Sequence, residues 1–213
     1  MKLLSRILLV VLAMFPPLAI PREAGSDLAE RLRNGEILLL EADSQKAGGS
    51  ARVQALISAS AVRVWEVIVS CDRSFIFVDG LRTCEVLEDN GDIALVHQVV
   101  KKGWLYPTQD FLFESRREPY RRIQFQLVKG SLKSLDGSWE FLETPDGLLV
   151  DYRINVRPRW PVPGFIVSHV MRKGMPDLIA CIRGLAGGSG SPDERRADLG
   201  RCRGREAKSM SLP

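Results

Sequence analysis

From residue 51 onward, a hydrophobic pattern with the two-residue period of a strand is followed by one with the period of a helix. Polar and apolar residues alternate over residues 51–59, which predicts a strand with one apolar face, Val53, Ala55 and Ile57. Ser60 is a good helix N-cap residue, and apolar side chains then return at helical spacing. This stripe comprises Val62, Trp65, Ile68 and Val69. The central part of the chain therefore opens with a strand followed by a helix.

Residues 25–50 predict a smaller unit of one helix and one strand. Ser26 is expected to cap a helix over residues 27–33, which Asn34-Gly35 ends. A strand over residues 36–41 and a glycine-rich turn over residues 46–50 follow. We interpret this unit as an N-terminal extension of the main domain.

A run of strand patterns fills the middle of the chain, separated by turn signals. The predicted strands cover residues 81–88, 93–101, 108–116, 121–129, 138–143 and 148–157. Residues 164–185 then form an amphipathic helix, which Pro176 is expected to bend or split. Only this helix is long enough to cover the apolar face of the strands. We predict an α+β fold in which a curved antiparallel sheet of about six to seven strands wraps around the C-terminal helix, leaving a cavity between them.

The net charge of +4 is concentrated at the two ends of the 213-residue chain. Residues 25–186 carry 21 basic and 21 acidic side chains, so the predicted folding unit is neutral. A uniform basic face for nucleic acid is therefore not expected. With 45% hydrophobic and 26% charged residues, the composition is that of a globular domain.

Both termini have compositions unlike that of the central domain. In residues 1–24, Lys2 and Arg6 precede an apolar run that Pro16 ends, which predicts a signal peptide or an uncleaved N-terminal anchor. A buried core helix is the alternative. Residues 187–213 are rich in Gly, Ser and Arg, and we expect a disordered basic tail. The predicted domain therefore covers residues 51–186, after an extension over residues 25–50.

An ordered set of motifs in the domain resembles a known superfamily. The set comprises Trp65, Gly80-Leu81, Gly137-Ser138-Trp139 and Pro161-x-Pro163-Gly164-Phe165. Together they resemble the START-like helix-grip (SRPBCC) superfamily, and within it the polyketide cyclase/dehydrase and coenzyme Q-binding branch. The resemblance implies a helix-grip fold whose cavity takes a lipid, an isoprenoid quinone or a polyketide. Most members are binders or carriers and some are cyclases.

Few residues suggest catalysis. The chain has two histidines, too few for a His-rich metal site, and we expect no metal or other cofactor. His97 is a weak acid/base candidate if it faces the cavity with Ile93, and Tyr152 is the only partner that we can offer it. A histidine bonded to the backbone is the simpler interpretation. Asp151 and Arg153 alternate with apolar residues and are expected to face water, and His169 is expected to be exposed.

The four cysteines fall into two groups. Cys71 and Cys84 bracket the short link between the first helix of the domain and the next strand. In an oxidising compartment they are expected to form a disulfide, and two buried thiols are the alternative. Cys181 lies on the predicted long helix and Cys202 in the predicted tail, so we do not expect these two to pair.

Aromatic residues suggest the ligand wall and its mouth. The expected wall comprises Phe111, Phe113, Phe125, Trp139 and Tyr152 on strands, with His97 as a polar group and Val170 and Met171 on the helix. Trp104, Tyr106, Trp160 and Phe165 lie in or beside proline-containing loops and are expected to form a gate or a membrane contact. Folding back of these rings as core lids is the alternative. The basic residues beside them, Lys101, Lys102, Arg157 and Arg159, would meet lipid phosphates.

These observations predict an exported, periplasmic or secreted carrier of a hydrophobic small molecule. We expect a monomer that contacts membranes transiently and does not bind nucleic acid. An enzyme of the cyclase/dehydrase type that uses the same cavity, and a module that binds a protein partner in the groove, are the alternatives.

Overall fold

The computed structural model describes residues 23–45, 48–102, 107–160 and 162–204. Eight strands form a single sheet, in which every neighbouring pair is antiparallel. The strands are β1 (Leu38–Gln45), β2 (Gly48–Ile57), β3 (Leu81–Asp89), β4 (Ile93–Val100), β5 (Gln109–Glu118), β6 (Arg122–Gly130), β7 (Leu132–Thr144) and β8 (Gly147–Pro158). Their order across the sheet is β1-β2-β8-β7-β6-β5-β4-β3.

Six α-helices and one π-helical turn complete the described chain. They are α1 (Glu23–Arg33), α2 (Ala61–Val69), α3 (Cys71–Phe77), α4 (Gly164–His169), the π turn (Val170–Gly174), α5 (Met175–Ala186) and α6 (Pro192–Leu199). The predicted α+β helix-grip fold is therefore confirmed. The sheet has eight strands because both β1 and β2 join it.

The main core lies between the inner face of β2, β7 and β8 and the helices α2 and α5. Val53, Ala55 and Ile57 are fully buried there, as the alternating pattern predicts. Ser60 caps α2 by accepting a hydrogen bond from the backbone of Arg63. The stripe on α2 differs from the predicted one, because Val62 is exposed while Val64 and Trp65 are buried.

Several element boundaries depart from the prediction. Helix α1 begins at Glu23, so Ser26 lies within it and does not cap it, whereas the predicted end at Asn34-Gly35 is correct. The link after α2 is itself helical, and Cys71 begins α3 instead of ending the preceding helix. Strand β7 begins at Leu132, six residues before the predicted start. Its first six residues mix the buried Leu132 and Leu135 with polar residues and a glycine, and they are extended because they pair with β8.

Gly48 and Gly49 belong to β2, not to a turn, and the first part of the predicted turn lies outside the described residues. A Cβ atom on Gly49 would lie 2.5 Å from the Cγ1 atom of Val167 on α4. Glycine is required there because the helical cover approaches the sheet closely. Gly49 therefore allows the close approach of the helical cover to β2, whereas a Cβ atom on Gly48 would meet Val156 and Arg157 of β8.

The C-terminal helix is interrupted just before Pro176. Proline has no N–H to donate to the carbonyl of residue 172, and its ring would clash with that carbonyl in a regular helix. The chain forms the wider π turn there, in which the N–H of Met175 donates to the carbonyl of Val170. The predicted bend thus takes the form of a π turn between α4 and α5.

The prediction of a disordered tail is wrong for residues 187–204. Ser191 and Glu194 form a capping box that starts α6, and the buried Asp198 accepts hydrogen bonds from Arg183 at 2.7 and 2.9 Å. Cys202 forms a disulfide with Cys181, a pair that we did not expect. Sequence composition alone missed this because the ordering comes from a buried ion pair and a disulfide rather than from apolar residues. The rest of the tail lies outside the described residues.

Candidate functional site

A cavity of about 850 Å³ lies between the sheet and the helical cover formed by α4 and the π turn. Its walls are mainly hydrocarbon, from Phe111, Leu132, Leu135, Ile154 and Val156 on the sheet and from Val167, Val170 and Met171 on the cover. The polar side chains Asp79, Lys102, Gln109 and His169 also border it. We call this space the outer cavity.

A second, smaller space of about 270 Å³ lies deeper between the sheet, α3 and α5. It shares four wall residues with the outer cavity, Val100, Phe111, Leu135 and Ile154, so the two spaces adjoin. We call it the inner chamber.

Most of the aromatic residues predicted to contact the ligand lie on these walls. Phe113, Phe125, Trp139 and Tyr152 line the inner chamber, and Phe111 borders both spaces. The rings follow one another: the centroids of Phe113 and Phe125 are 6.3 Å apart, and Trp139 stacks on Tyr152 at 3.9 Å. The predicted helix residues Val170 and Met171 line the outer cavity.

His97 does not face either space. On β4 the inward side chains are those of Val96, Gln98 and Val100, so His97 is directed to the opposite face of the sheet. There its Nε2 atom lies 2.9 Å from Asp110. The predicted pairing of His97 with Tyr152 as an acid/base dyad is therefore wrong, because the sheet separates them. His169 is exposed, as expected, at the border of the outer cavity.

Tyr152 is the clearest polar group of the predicted wall. Burial raises the pKa of its phenol well above the ordinary value, because the phenolate would lose its hydration. At neutral pH the hydroxyl is therefore protonated and can donate a hydrogen bond to a molecule in the inner chamber.

Asp151 precedes Tyr152 on β8 and takes part in an ion pair on the outer face of the sheet. It is buried, not directed to water as predicted, and accepts hydrogen bonds from Arg52 at 2.7 Å and from Gln54 at 2.7 Å. Burial acts to raise the pKa of Asp151, but the hydrogen bonds from Arg52, Gln54 and Arg153 hold it below its ordinary value. This carboxylate therefore links β2 to β8 on the outer face of the sheet and does not reach the cavity.

Two exposed aromatic side chains stand at the border of the outer cavity. Trp160 is 64% exposed and Phe165 is 76% exposed, and both line the cavity. These two rings therefore do not fold back as core lids. Of the basic residues near them, Lys102 is paired with Asp79, and Arg159 donates to the carbonyls of Gly130 and Leu132. Trp104 and Tyr106 lie outside the described residues.

The predicted disulfide between Cys71 and Cys84 is present and joins α3 to β3. Both cysteines line the inner chamber. The disulfide therefore holds together two elements of the chamber wall.

Sequence reasoning missed the polar end of the inner chamber, which includes Gln98, Ser115 and Arg117. A signal was present, because β5 places residues 111, 113, 115 and 117 on one face, but the four arginines near this hairpin suggested a solvated end. Within the described ranges, no three His, Cys, Asp or Glu side chains are grouped so that they could hold a metal ion. No helix of that part of the chain is long and apolar enough to cross a membrane.

Comparison with known proteins places this geometry among related folds. Residues 57–183 match the family described as polyketide cyclase / dehydrase and lipid transport. A STAR-related lipid transfer protein from Xanthomonas axonopodis has 14% identity over 71% of this chain and 98% of its own, with a TM-score of 0.57. An aromatase/cyclase from a Streptomyces species has 15% identity over 68% and 96%, with a TM-score of 0.53. A START superfamily protein from Mycobacterium smegmatis has 16% identity over 65% and 97%, also with a TM-score of 0.53. The search of curated proteins finds no significant match.

Proposed function

Because the chain belongs to the polyketide cyclase / dehydrase and lipid transport family, we propose that it is an exported carrier of a hydrophobic small molecule. A lipid, an isoprenoid quinone or a polyketide-like compound is the kind of molecule meant. The observation that carries this proposal is the outer cavity, a space of about 850 Å³ with walls that are mainly hydrocarbon. Such a space binds by removing apolar surface from water.

The size of the cavity is consistent with useful affinity. Burying about 400 Å² of apolar ligand surface contributes about 10 kcal/mol at 25 cal/mol per Å². Loss of ligand freedom offsets part of this, at least about 4 kcal/mol. The remainder, at most about 6 kcal/mol, corresponds to a dissociation constant of about 40 μM or weaker.

Trp160 and Phe165 are proposed as the gate and the membrane contact. Exposed aromatic rings at a cavity border can enter the interfacial region of a bilayer at little cost in free energy. Lys101 and Arg157 are exposed nearby in sequence and would meet lipid phosphates. Insertion of the two rings would bring the cavity border to the bilayer surface, so that a ligand moves between them without crossing water.

Export is supported by the two disulfides. Structural disulfides persist in oxidising compartments such as the periplasm or the extracellular space. The charged and then apolar start of the sequence is the expected export signal or anchor. A carrier at that location would move a hydrophobic compound through an aqueous compartment.

Carriage is favoured over catalysis by the position of the polar groups. An enzyme needs an acid and a base beside the substrate, and His97 is separated from the chamber by the sheet. The described lining of the inner chamber contains no carboxylate or histidine. The outer cavity has Asp79 and His169 on its border, where Asp79 is paired with Lys102 and His169 is exposed. This arrangement is suited to holding a molecule rather than to transferring protons.

The test is to purify the full chain, extract it with organic solvent and identify the extracted compounds by mass spectrometry, then titrate the stripped protein with a fluorescent lipid. We expect a bound apolar compound and saturable uptake. Val170→Trp fills part of the outer cavity and should abolish uptake, whereas Arg172→Trp, on the exposed side of the same turn, should not.

An empty protein that takes up no fluorescent lipid would contradict the proposal, and a protein partner recovered without any lipid would favour a partner-binding module instead. Recovery of a chemically altered ligand after incubation would indicate an enzyme.

A further inference from the structure

Two helices of the inner chamber wall are joined by the segment that follows α6. Helix α3 contributes Ser74 and Phe77 to the lining of the chamber, and α5 contributes Met175 and Leu178. Residues 200–204 contact both helices, and we call this segment the strap. The strap lies outside the part of the chain that matches the family.

The strap is attached to α5 by one covalent bond and two ion pairs. Cys202 forms a disulfide with Cys181, which is fully buried. Arg203 lies 3.4 Å from the buried carboxylate of Asp177, and Arg201 lies 3.9 Å from it. Both arginine side chains are about half exposed, so each ion pair contributes at most about fivefold to the equilibrium constant for seating the strap.

The far end of the strap is attached to α3 through its backbone. The N–H of Gly204 donates to the carbonyl of Ile76 at 2.8 Å, and Gly204 is buried. A Cβ atom on Gly204 would overlap the carbonyl groups of Phe75 and Ile76, so glycine is required for this close approach. A neutral hydrogen bond of this kind contributes about fivefold to an equilibrium constant. The disulfide is therefore the strongest attachment of the strap.

The two disulfides hold α3 in different ways. Cys71 is the first residue of α3 and is bonded to Cys84 on β3, whereas Ile76 lies near the other end of this seven-residue helix. When the strap is released, α3 keeps its attachment to β3 and can turn away from α5 about that point. The ion pair between Arg183 and Asp198 still holds α6 on α5, so the movement stays within the strap.

We propose that the Cys181–Cys202 disulfide is a redox latch, whose reduction by a dithiol frees the strap and opens the inner chamber between α3 and α5. With the disulfide intact, a ligand exchanges through the outer cavity. With the disulfide reduced, a second route leads directly into the inner chamber. The statement about ligand exchange rests on the proposed carrier function, whereas the release of the strap does not.

Reduction of the latch is a thiol–disulfide exchange. Cys202 is the half-buried partner, so a thiolate of the dithiol attacks its sulfur. The bond between the two cysteine sulfurs breaks, and Cys181 leaves as a thiolate that takes up a proton. The second thiol of the reductant then attacks the mixed disulfide, which releases Cys202 as a thiol and converts the dithiol into a disulfide. Two electrons and two protons pass from the reductant to the two cysteines.

The first measurement is the order in which the two disulfides are reduced. The full-length protein is titrated with dithiothreitol, free thiols are alkylated, and the labelled cysteines are identified by mass spectrometry. We expect Cys181 and Cys202 to be labelled at lower reductant concentration than Cys71 and Cys84. The reduced strap is held only by weak contacts, which keeps the effective concentration of its thiol at Cys181 low. Simultaneous labelling of all four cysteines would refute a latch that acts separately.

Hydrogen exchange measures the release of the strap. The variant Cys181→Ala/Cys202→Ala keeps the Cys71–Cys84 bond and lacks the latch. The two ion pairs and the backbone hydrogen bond together then protect the amide of Gly204 by no more than about a hundredfold. We expect this amide and those of α3 to exchange at least about tenfold faster than in the oxidised protein without substitutions.

Gly204→Ala tests the strap while both disulfides are intact. The new Cβ atom overlaps the backbone of α3 and should unseat the end of the strap, so that the amides of α3 exchange faster in the oxidised protein. Gly200→Ala is the matched control, because its Cβ atom would lie at an ordinary 3.4 Å from the nearest backbone oxygens. Unchanged exchange of α3 in both Gly204→Ala and the cysteine variant would refute the hold of the strap on α3.

Ligand kinetics measure the second route. Association and dissociation of a neutral fluorescent lipid are compared between the oxidised full-length protein and the variant Cys181→Ala/Cys202→Ala. Both rates should rise several-fold in the variant, and the dissociation constant should stay the same, because an added route lowers the barrier in both directions.

The outcomes separate the latch from the carrier function. Faster amide exchange with unaltered ligand rates would refute the opening of the chamber and leave carriage standing. Oxidised protein without substitutions that binds no fluorescent lipid would contradict carriage, while the reduction order and the amide exchange still decide whether the strap is released. Because the reduction order is measured without substitutions, a poorly folding variant does not prevent the test.

Discussion

Removing each of the two disulfides in turn tests which part of the fold affects ligand binding. Cys71–Cys84 joins residues 13 apart in sequence, and Cys181–Cys202 joins residues 21 apart. In the loop-closure treatment each contributes about 3 kcal/mol to the free energy of unfolding, since the contribution depends only weakly on loop length. For an ordered chain of this size, that corresponds to a fall of about 6–12 °C in melting temperature when either is removed.

The two disulfides are expected to contribute similarly to the free energy of unfolding, but their surroundings differ. Cys71 and Cys84 line the inner chamber, whereas Cys181 packs in the main core and fastens the segment after α6 to α5. We expect both double alanine variants to melt earlier by a similar amount. Only the Cys71→Ala/Cys84→Ala protein should bind a neutral fluorescent ligand more weakly, because its chamber wall is no longer tied together.

Circular dichroism melting curves and a ligand titration, each with oxidised and chemically reduced protein, check this expectation. The chemically reduced protein without substitutions is the control, because it lacks both disulfides but keeps the cysteine side chains. If removal of Cys181–Cys202 leaves the melting temperature unchanged, this disulfide does not stabilise the fold. Equal loss of ligand binding in both variants would refute the assignment of Cys71–Cys84 to the ligand wall.

Three other predictions follow from single contacts. Gly49→Ala should cost about 1–3 kcal/mol of stability and weaken ligand binding, because the new Cβ atom would overlap the helical cover. The Asp151 carboxylate has a native pKa below its unfolded value, so its contribution is fully present above the unfolded pKa and is lost as pH falls through the native pKa. Asp151→Asn should therefore lower stability at pH 7 by about 2 kcal/mol and flatten its decline in acid, as denaturant titrations at several pH values would measure. Trp160→Ala/Phe165→Ala should reduce binding to lipid vesicles in a sedimentation assay by at least about tenfold.

Matched controls exist for the glycine and the aromatic variants. Gly164→Ala places its Cβ atom in open space and should leave both stability and binding unchanged. Leu142→Ala removes an exposed side chain from the outer face of the sheet and should not affect vesicle binding. An acid denaturation profile that is identical with and without Asp151 would show that its ion pair does not contribute to the pH dependence.

The sheet and the core were predictable because their signals are local. Alternation in β2 and the spacing of apolar residues in α2 reflect burial on one face, which the sequence records directly. The aromatic residues of the inner chamber were predictable for the same reason. Which face of β4 points inward was not, because Ile93, Leu95 and Val99 are as apolar as the residues of the inner face, and His97 was assigned to the wrong side.

The features that sequence reasoning missed depend on partners distant in the chain. In the sequence, Arg117 cannot be told from the exposed arginines near it. Its ion pair with Asp89 and its position on β5 place it in the lining of the inner chamber. Cys202 and Asp198 lie in a segment of low hydrophobicity, and only their contacts with Cys181 and Arg183 order it. Such contacts are created by the fold and leave no periodic pattern.

The π turn divides the C-terminal helix into two parts that are anchored to the rest of the protein to different extents. Helix α5 is fastened by the Cys181–Cys202 bond and by the Arg183–Asp198 ion pair, whereas α4 lies over the cavity with exposed Phe165 near its start. Local fluctuation in a protein follows the segments with the fewest anchors. Under the proposed carrier function, substitutions in α4 would change the rate of ligand exchange. The stability that α5 gains from the Cys181–Cys202 bond and the Arg183–Asp198 ion pair would not change with them.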